Sequence, residues 1–414
     1  MNKHATTLGR RRILVSGASI AGPTVAYWLD RFGFKVTVVE RAASLRGGGY
    51  PIDVRGPAVE VARRMGILPG LKLAHIQSKR ITFLHPDGSV AGEIRPEVLT
   101  GGEQHADIEL PRGELTDLLY GLTRHGSIRY QFDDAIASLD EDADGVGVTF
   151  ESGATGYFDV VIGADGIHSQ TRRLIFGPET PFTHYLGYCY NGFSMPNFLG
   201  LSHASLAYAT PGRYAVLSAV KNSPTLHAFL IVASEQPPLI RHQDSVEHRR
   251  ITAQQFAGSG WAVPQLVAAM QNADDFYFDV VSQIRLDRWS TGRVVLVGDA
   301  AFAPSFLSGQ GSSLAIIGAY ILAGELATRA TPAEAFARYD ELMRPFAVAN
   351  QNLAGAGRAF LLPLTQEEID TRNRVLTSLD LPEPEAMPGE VSREVHRALS
   401  LPDYERMLRV DEPH

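Results

Sequence analysis

The sequence predicts an α/β fold: a Rossmann-type βαβ unit early in the chain, an inserted antiparallel β-sheet, and helices at the C-terminal end. Three observations carry this. Residues 13–40, ILVSGASIAGPTVAYWLDRFGFKVTVVE, read as apolar run, glycine turn, helix and second apolar run. Apolar runs of the same kind return at 158–162 and 294–297. Between 180 and 283 the texture changes to aromatic-rich, β-like segments, clearest at 214–220 and 226–233.

In the first unit Ile13, Leu14 and Val15 form a buried parallel strand, and the turn that follows, GASIAG, is GxGxxG with Ser19 at the middle glycine. Glu40 ends the second strand, 23 residues after Gly17. A dinucleotide needs this spacing. Its pyrophosphate rests on backbone N–H groups at a helix start while a carboxylate accepts from the ribose hydroxyls. The letters GASIA also fit the GxSxG elbow of serine hydrolases, with Ser19 as nucleophile. An elbow lies well inside a chain and gives no reason for Glu40, so the dinucleotide reading is preferred.

Beyond Glu40 and Arg41 a loop carries Gly47, Gly48 and Gly49, which suit either close approach to a flat ligand or plain flexibility. Arg55-Gly56-Pro57 opens a helix with Val59 and Met65 on its apolar side and Gly66 at its end. Runs at 80–84 and 90–94 flank Pro86-Asp87-Gly88 and predict a hairpin outside the dinucleotide unit. Arg112 begins a helix with Leu115, Leu118, Leu119 and Leu122 at helical spacing. A cation there opposes the helix dipole unless an anion is also present, so Arg112 is either a phosphate contact or a solvated arginine. A second hairpin turns at Asp144-Gly145. The strand at 158–162 runs into GADGIHSQTRR, where Asp165 stands in a simple turn or in a loop beside a charged cofactor. The strand at 294–297 runs into GDAA, placing Asp299 to accept from a polyol; Gly309-Gln310-Gly311 then opens a long helix through Leu326. Thr331 with Glu334, and Thr365 with Glu368, read as capping boxes, and the proline-rich 382–388 as a linker to a helical tail.

With 414 residues, 44% hydrophobic and 20% charged, the composition is that of a globular chain of two or three domains. The net charge of −8 argues against nucleic acid as partner, and the single cysteine, Cys189, excludes an intrachain disulfide and makes thiolate metal sites implausible. Arg10 to Arg12 ahead of an apolar stretch could pass for an export signal, but glycines, Pro23, Ser16 and Ser19 interrupt it. No segment has the length and apolarity of a membrane span, and the expected location is cytoplasmic.

Three motifs thus stand in order: GASIAG with Glu40-Arg41, GADG, and GDAA with the 309–311 turn. Together they resemble the class A FAD-dependent monooxygenases, the fold group of para-hydroxybenzoate hydroxylase and the tetracycline-inactivating monooxygenases, over roughly residues 10–360. The hydrolase reading explains neither Asp165 nor Asp299. The resemblance implies that Gly17, Ser19, Ile20, Ala21 and Gly22 hold the ADP half of FAD, and that Glu40 and Arg41 hold its ribose. It places Arg112 and Asp299 near ribitol and pyrophosphate, Asp165 in a loop serving FAD and NAD(P)H, and Arg46 and Asp53 toward the nicotinamide donor and the flavin. Gly309, Gly311 and Ser312 fall at the helix start that stabilises charge on the flavin. Phe302, Phe306 and Ser313 depart from residues common in the family, at positions expected beside the flavin ring. The chemistry implied is a flavin C4a-hydroperoxide, formed with O2 and NADPH or NADH, that hydroxylates a small apolar aromatic or polyketide-like substrate. Such an enzyme needs no metal; no catalytic side chain is assigned, and His203, His227 or a tyrosine is a possible base for a phenol. Alternatives are an FAD-dependent oxidoreductase without oxygen insertion, or a non-catalytic FAD-binding module. The expected domains are a discontinuous FAD-binding domain (10–75, 100–180 and 284–360), a substrate-binding sheet (76–99 and 181–283) and a C-terminal helical segment (361–414), in a monomer or homodimer.

Overall fold

A computed structural model describes residues 11–45, 50–100, 107–221, 223–238, 244–356, 358–377 and 388–410. Arg46, Gly47 to Gly49 and most of the expected 382–388 linker lie outside them.

The first sheet has six strands in the order Ser290–Thr291, Val294–Leu296, Val160–Gly163, Arg12–Ser16, Lys35–Glu40 and Arg129–Phe132. The last five are parallel, with Ser16 level with both Gly163 and Val39. Ile13 and Val15 face one core while Leu14 faces another, so the central strand is buried on both sides and reads as a continuous apolar run. Its register has a direct consequence. The three motifs leave the carboxyl ends of three adjacent strands, which is where open parallel sheets bind ligands.

Helix Ala21–Arg31 packs on helix Gly311–Thr328, with the Trp28 and Tyr320 rings 4.8 Å apart. The longer helix is apolar enough by length and composition to cross a membrane, yet it is buried from Ser313 to Ala327 in the protein core.

The second sheet has seven strands: Tyr277–Ile284, Thr183–Pro196, Thr225–Ala233, Arg213–Ala219, Ala204–Thr210, Arg80–Leu84 and Val90–Ile94. It is antiparallel except where Ala204–Thr210 runs parallel to Arg80–Leu84, so the early hairpin closes the edge of a sheet formed much later in the chain. A three-stranded sheet at 136–158 and a ribbon pairing Pro51–Val54 with Ile108–Pro111 complete the β structure described.

Some local expectations shift. Helix Pro57–Arg64 buries Ala58, Val61 and Ala62, with Met65 just beyond it, whereas Val59 is only half-buried. The Thr331 box closes reciprocally, at 3.1 and 3.3 Å. In the Thr365 box the return arm of Glu368 accepts from Leu364 N–H instead of Thr365 N–H. The tail is packed: Leu376 lies under Gly92 of the seven-stranded sheet, and the Tyr404 ring occupies the space over Gly324, donating to the buried Glu325 carboxylate at 2.7 Å.

Candidate cofactor and substrate site

The first two turns touch through backbone. Gly17 has φ 105°, and a Cβ there would stand 2.5 Å from the Ala164 carbonyl oxygen; one on Gly22 would stand 1.8 Å from the Gly17 oxygen. Only glycine fits either place. The helix that follows starts at Ile20 with no side-chain cap, leaving its first N–H groups for a ligand or solvent; Ile20 and Ala21 are themselves buried. Glu40 accepts from Ala18 N–H at 2.8 Å and from Ala42 N–H at 3.0 Å, and so joins the glycine turn to the next loop. Arg41 beside it is exposed.

Arg112 is half-buried, and its Nη2 donates to Ser19 Oγ at 2.7 Å. The fully solvated alternative is thereby set aside. Its charge also acts on Asp299: burial raises the Asp299 carboxyl pKa and the Arg112 guanidinium pulls it down. Among the described residues Asp299 accepts no hydrogen bond. A buried carboxyl so placed is a docking point for a polyol or amide donor. Gly311 sits against it, a Cβ there lying 3.6 Å from Asp299 Oδ1, and Gly309 adopts a left-handed φ of 65°. The long helix starts beyond Gln310 with no side-chain cap, and Ser312 is half-buried in its first turn.

Asp53 meets Gly309 from the ribbon and pairs with Arg55 at 2.7 Å. Ser313 accepts from Arg55 N–H at 3.0 Å and fastens ribbon to helix. Asp165 and Phe302 are engaged by neighbours within the chain. Asp165 turns its carboxylate inward, accepting from Ser169 Oγ, Thr171 N–H (2.8 Å) and Thr171 Oγ1 (2.9 Å), because its own loop and helix start supply donors first. Phe302 lies in the core, 4.7 Å from Trp289 and packed on Gly318, where a large ring is fully removed from water. Buried Arg172, outside the predicted set, donates to Ala300 O at 3.0 Å and to Glu179, binding the second turn to the third.

Phe306 does face outward, stacked on Tyr190 at 5.1 Å. Tyr50, Phe229 and Tyr277 complete an aromatic wall, with Tyr50 5.7 Å from each of the other two rings. Burial raises the Tyr50, Tyr190 and Tyr277 phenol pKa values, so all three are neutral donors at neutral pH, and the charges of Arg112 and Asp299 both act on Tyr50. The wall therefore adjoins the charged site. Tyr190 and Phe229, from the aromatic-rich stretch between 180 and 283, belong to it. Tyr188 and Tyr214 donate instead to the Leu362 and Pro363 carbonyls, and Tyr208 stacks on Trp261. His203 bonds at the Ile76 carbonyl and His227 lies near Ser194, so neither has a partner on the wall.

Uncapped helix starts, a carboxyl lacking donors and glycines that leave no room for a side chain suit a pyrophosphate-linked polyol such as FAD. A sequence model of the family described as FAD binding domain matches residues 10–353. A flavin-dependent monooxygenase from an unknown prokaryotic organism is 38% identical over 399 residues, covering 95% of this chain and 99% of the relative. An uncharacterized protein of Mycobacterium tuberculosis is 43% identical over 363 residues, covering 87% and 97%. The crystal structure of the tetracycline destructase Tet(55) is similar with TM-score 0.81 at 36% identity, covering 98% of this chain and all of that one.

Proposed function

The chain belongs to the FAD-dependent monooxygenases built on this FAD-binding domain, and we propose that it uses NADPH or NADH and O2 to hydroxylate a small, flat, apolar aromatic or polyketide-like compound. The observation that carries the substrate class is the wall of Tyr50, Tyr190, Phe229, Tyr277 and Phe306 beside Asp299 and the 309–311 turn. Flat rings stack on such a surface, and neutral phenols orient a polar edge without adding charge.

In this reading the 17–22 turn and the first helix start hold the pyrophosphate, Glu40 and Arg41 the ribose, and Arg112 and Asp299 the polyol between. When bound, the flavin supplies electron uptake and oxygen activation. The chain's own contribution is to position: Arg172 and Ser313 fix the turns, N–H groups at the Gly311 helix start stabilise negative charge, and the aromatic wall excludes water and aligns substrate. The six-stranded sheet serves the cofactor and the seven-stranded sheet the substrate, with the domain limits expected above.

The test is to screen planar phenols and tetracyclines for accelerated NAD(P)H oxidation, then weigh the product formed under labelled dioxygen. One labelled oxygen atom per NAD(P)H consumed is expected; accelerated oxidation with no labelled product would overturn oxygen insertion.

A further inference from the structure

The turn that opens the long helix has glycine at 309 and at 311, so neither position has a side chain to hold it, and glycine has the most freedom to lose. Between the two glycines, Gln310 is the residue whose side chain can hold the turn. The residue is 1% exposed; its backbone N–H donates to Ser308 Oγ at 3.2 Å, and its side-chain Oε1 lies 3.1 Å from Nε2 of His396. Gln310 Nε2 has no hydrogen-bond partner among the described residues.

His396 belongs to helix Pro388–Arg397 and reaches the turn from the far end of the chain. Its ring also covers Gly56, where a Cβ would stand 2.9 Å away. Gly56 follows Arg55, which is bonded to Ser313. The imidazole is thus wedged between the strand end that carries Asp53 and the turn that carries Gly309. Burial, with the Arg55 charge second, holds the His396 pKa down to about 4, so the ring is neutral at working pH and its Nε2–H donates to Gln310.

We propose that His396 is a positioning residue for FAD: acting through Gln310, it fixes the 309–311 turn and so pre-sets the N–H groups at the helix start that receives the cofactor. The inference rests on FAD binding and is independent of substrate and electron donor. Ordering the turn beforehand spares the cofactor that entropy when it binds.

The experiment uses the full chain stripped of flavin. FAD is titrated back by fluorescence quenching, and amide exchange at residues 311–314 is followed before FAD is added. His396→Ala should weaken FAD binding by about five- to tenfold and speed exchange at those amides, as expected for one lost hydrogen bond. His396→Gln, whose amide N–H can donate to Gln310 Oε1, should restore both. Glu394→Ala, an exposed change on the same helix, should alter neither. If His396→Ala does not fold, Gln310→Met breaks the same bond from the other side and should show the same two losses. Wild-type affinity and exchange in the broken variant, or a glutamine variant as defective as alanine, would overturn the proposal. Wild-type FAD uptake in the same titration separates that outcome from failure of the flavin assignment.

Discussion

Glu109 lies opposite Asp53 in the ribbon and is pushed up to about 7 by burial first and by the Asp53 charge second. The folded chain therefore keeps a proton that the unfolded carboxyl, with a pKa of about 4.5, has released. Between those two values the native state binds more protons, so stability falls as pH rises through the window and is level above it. Glu109→Gln removes the titration. Its melting temperature relative to wild type should climb from about pH 5 to about pH 8, and a pH-independent difference would contradict the shift. At this scale the sequence exposed residues whose chemistry is tied to motif position: Glu40 at its spacing, Arg112 as a misplaced cation, Asp299 at a strand end. It hid Tyr50 and Tyr277, because most aromatics near sheets are simply packing, and it could not show that Asp165 would turn into its own loop.

Among the elements, the strand-turn-helix units and both hairpins were legible because their apolar periods and turn residues agree locally. The Pro51–Val54 and Ile108–Pro111 ribbon was not, since prolines at paired ends argue against a strand and its partners lie far apart. Strand Thr183–Pro196 carries a register shift between Tyr185 and Cys189 that breaks its alternation. The packing of helix Tyr404–Val410 was equally invisible, because it depends on a missing Cβ elsewhere: one at Gly324 would stand 2.1 Å from the Tyr404 ring. Gly324→Ala should displace that helix and cost about 1–3 kcal/mol. Urea unfolding and limited trypsin digestion would measure it, with faster cleavage after Arg406 expected. Wild-type stability and cleavage would show that the helix does not depend on this contact.

Across the whole molecule, a parallel sheet sets three motifs side by side and a second sheet brings an aromatic wall to them. The two are sewn together by buried amides: Gln283 donates to the Pro304 and Gln351 carbonyls at 3.0 and 2.7 Å, and Gln351 donates to Ile284 O at 2.8 Å. Order of motifs was readable from the chain, whereas the meeting of the sheets depends on strand order and on pairings between distant segments. The convergence of the 17–22 turn, Arg112, Asp299 and the 309–311 turn on one FAD is the central claim, and equilibrium titration of flavin-free chain with FAD tests it most directly. Stoichiometric uptake by the wild type is expected, with affinity lowered about ten- to hundredfold in Asp299→Ala and in Arg112→Ala, the range for lost charged hydrogen bonds. Folded wild-type chain that takes up no FAD, or two variants that bind it as tightly as wild type, would contradict that claim.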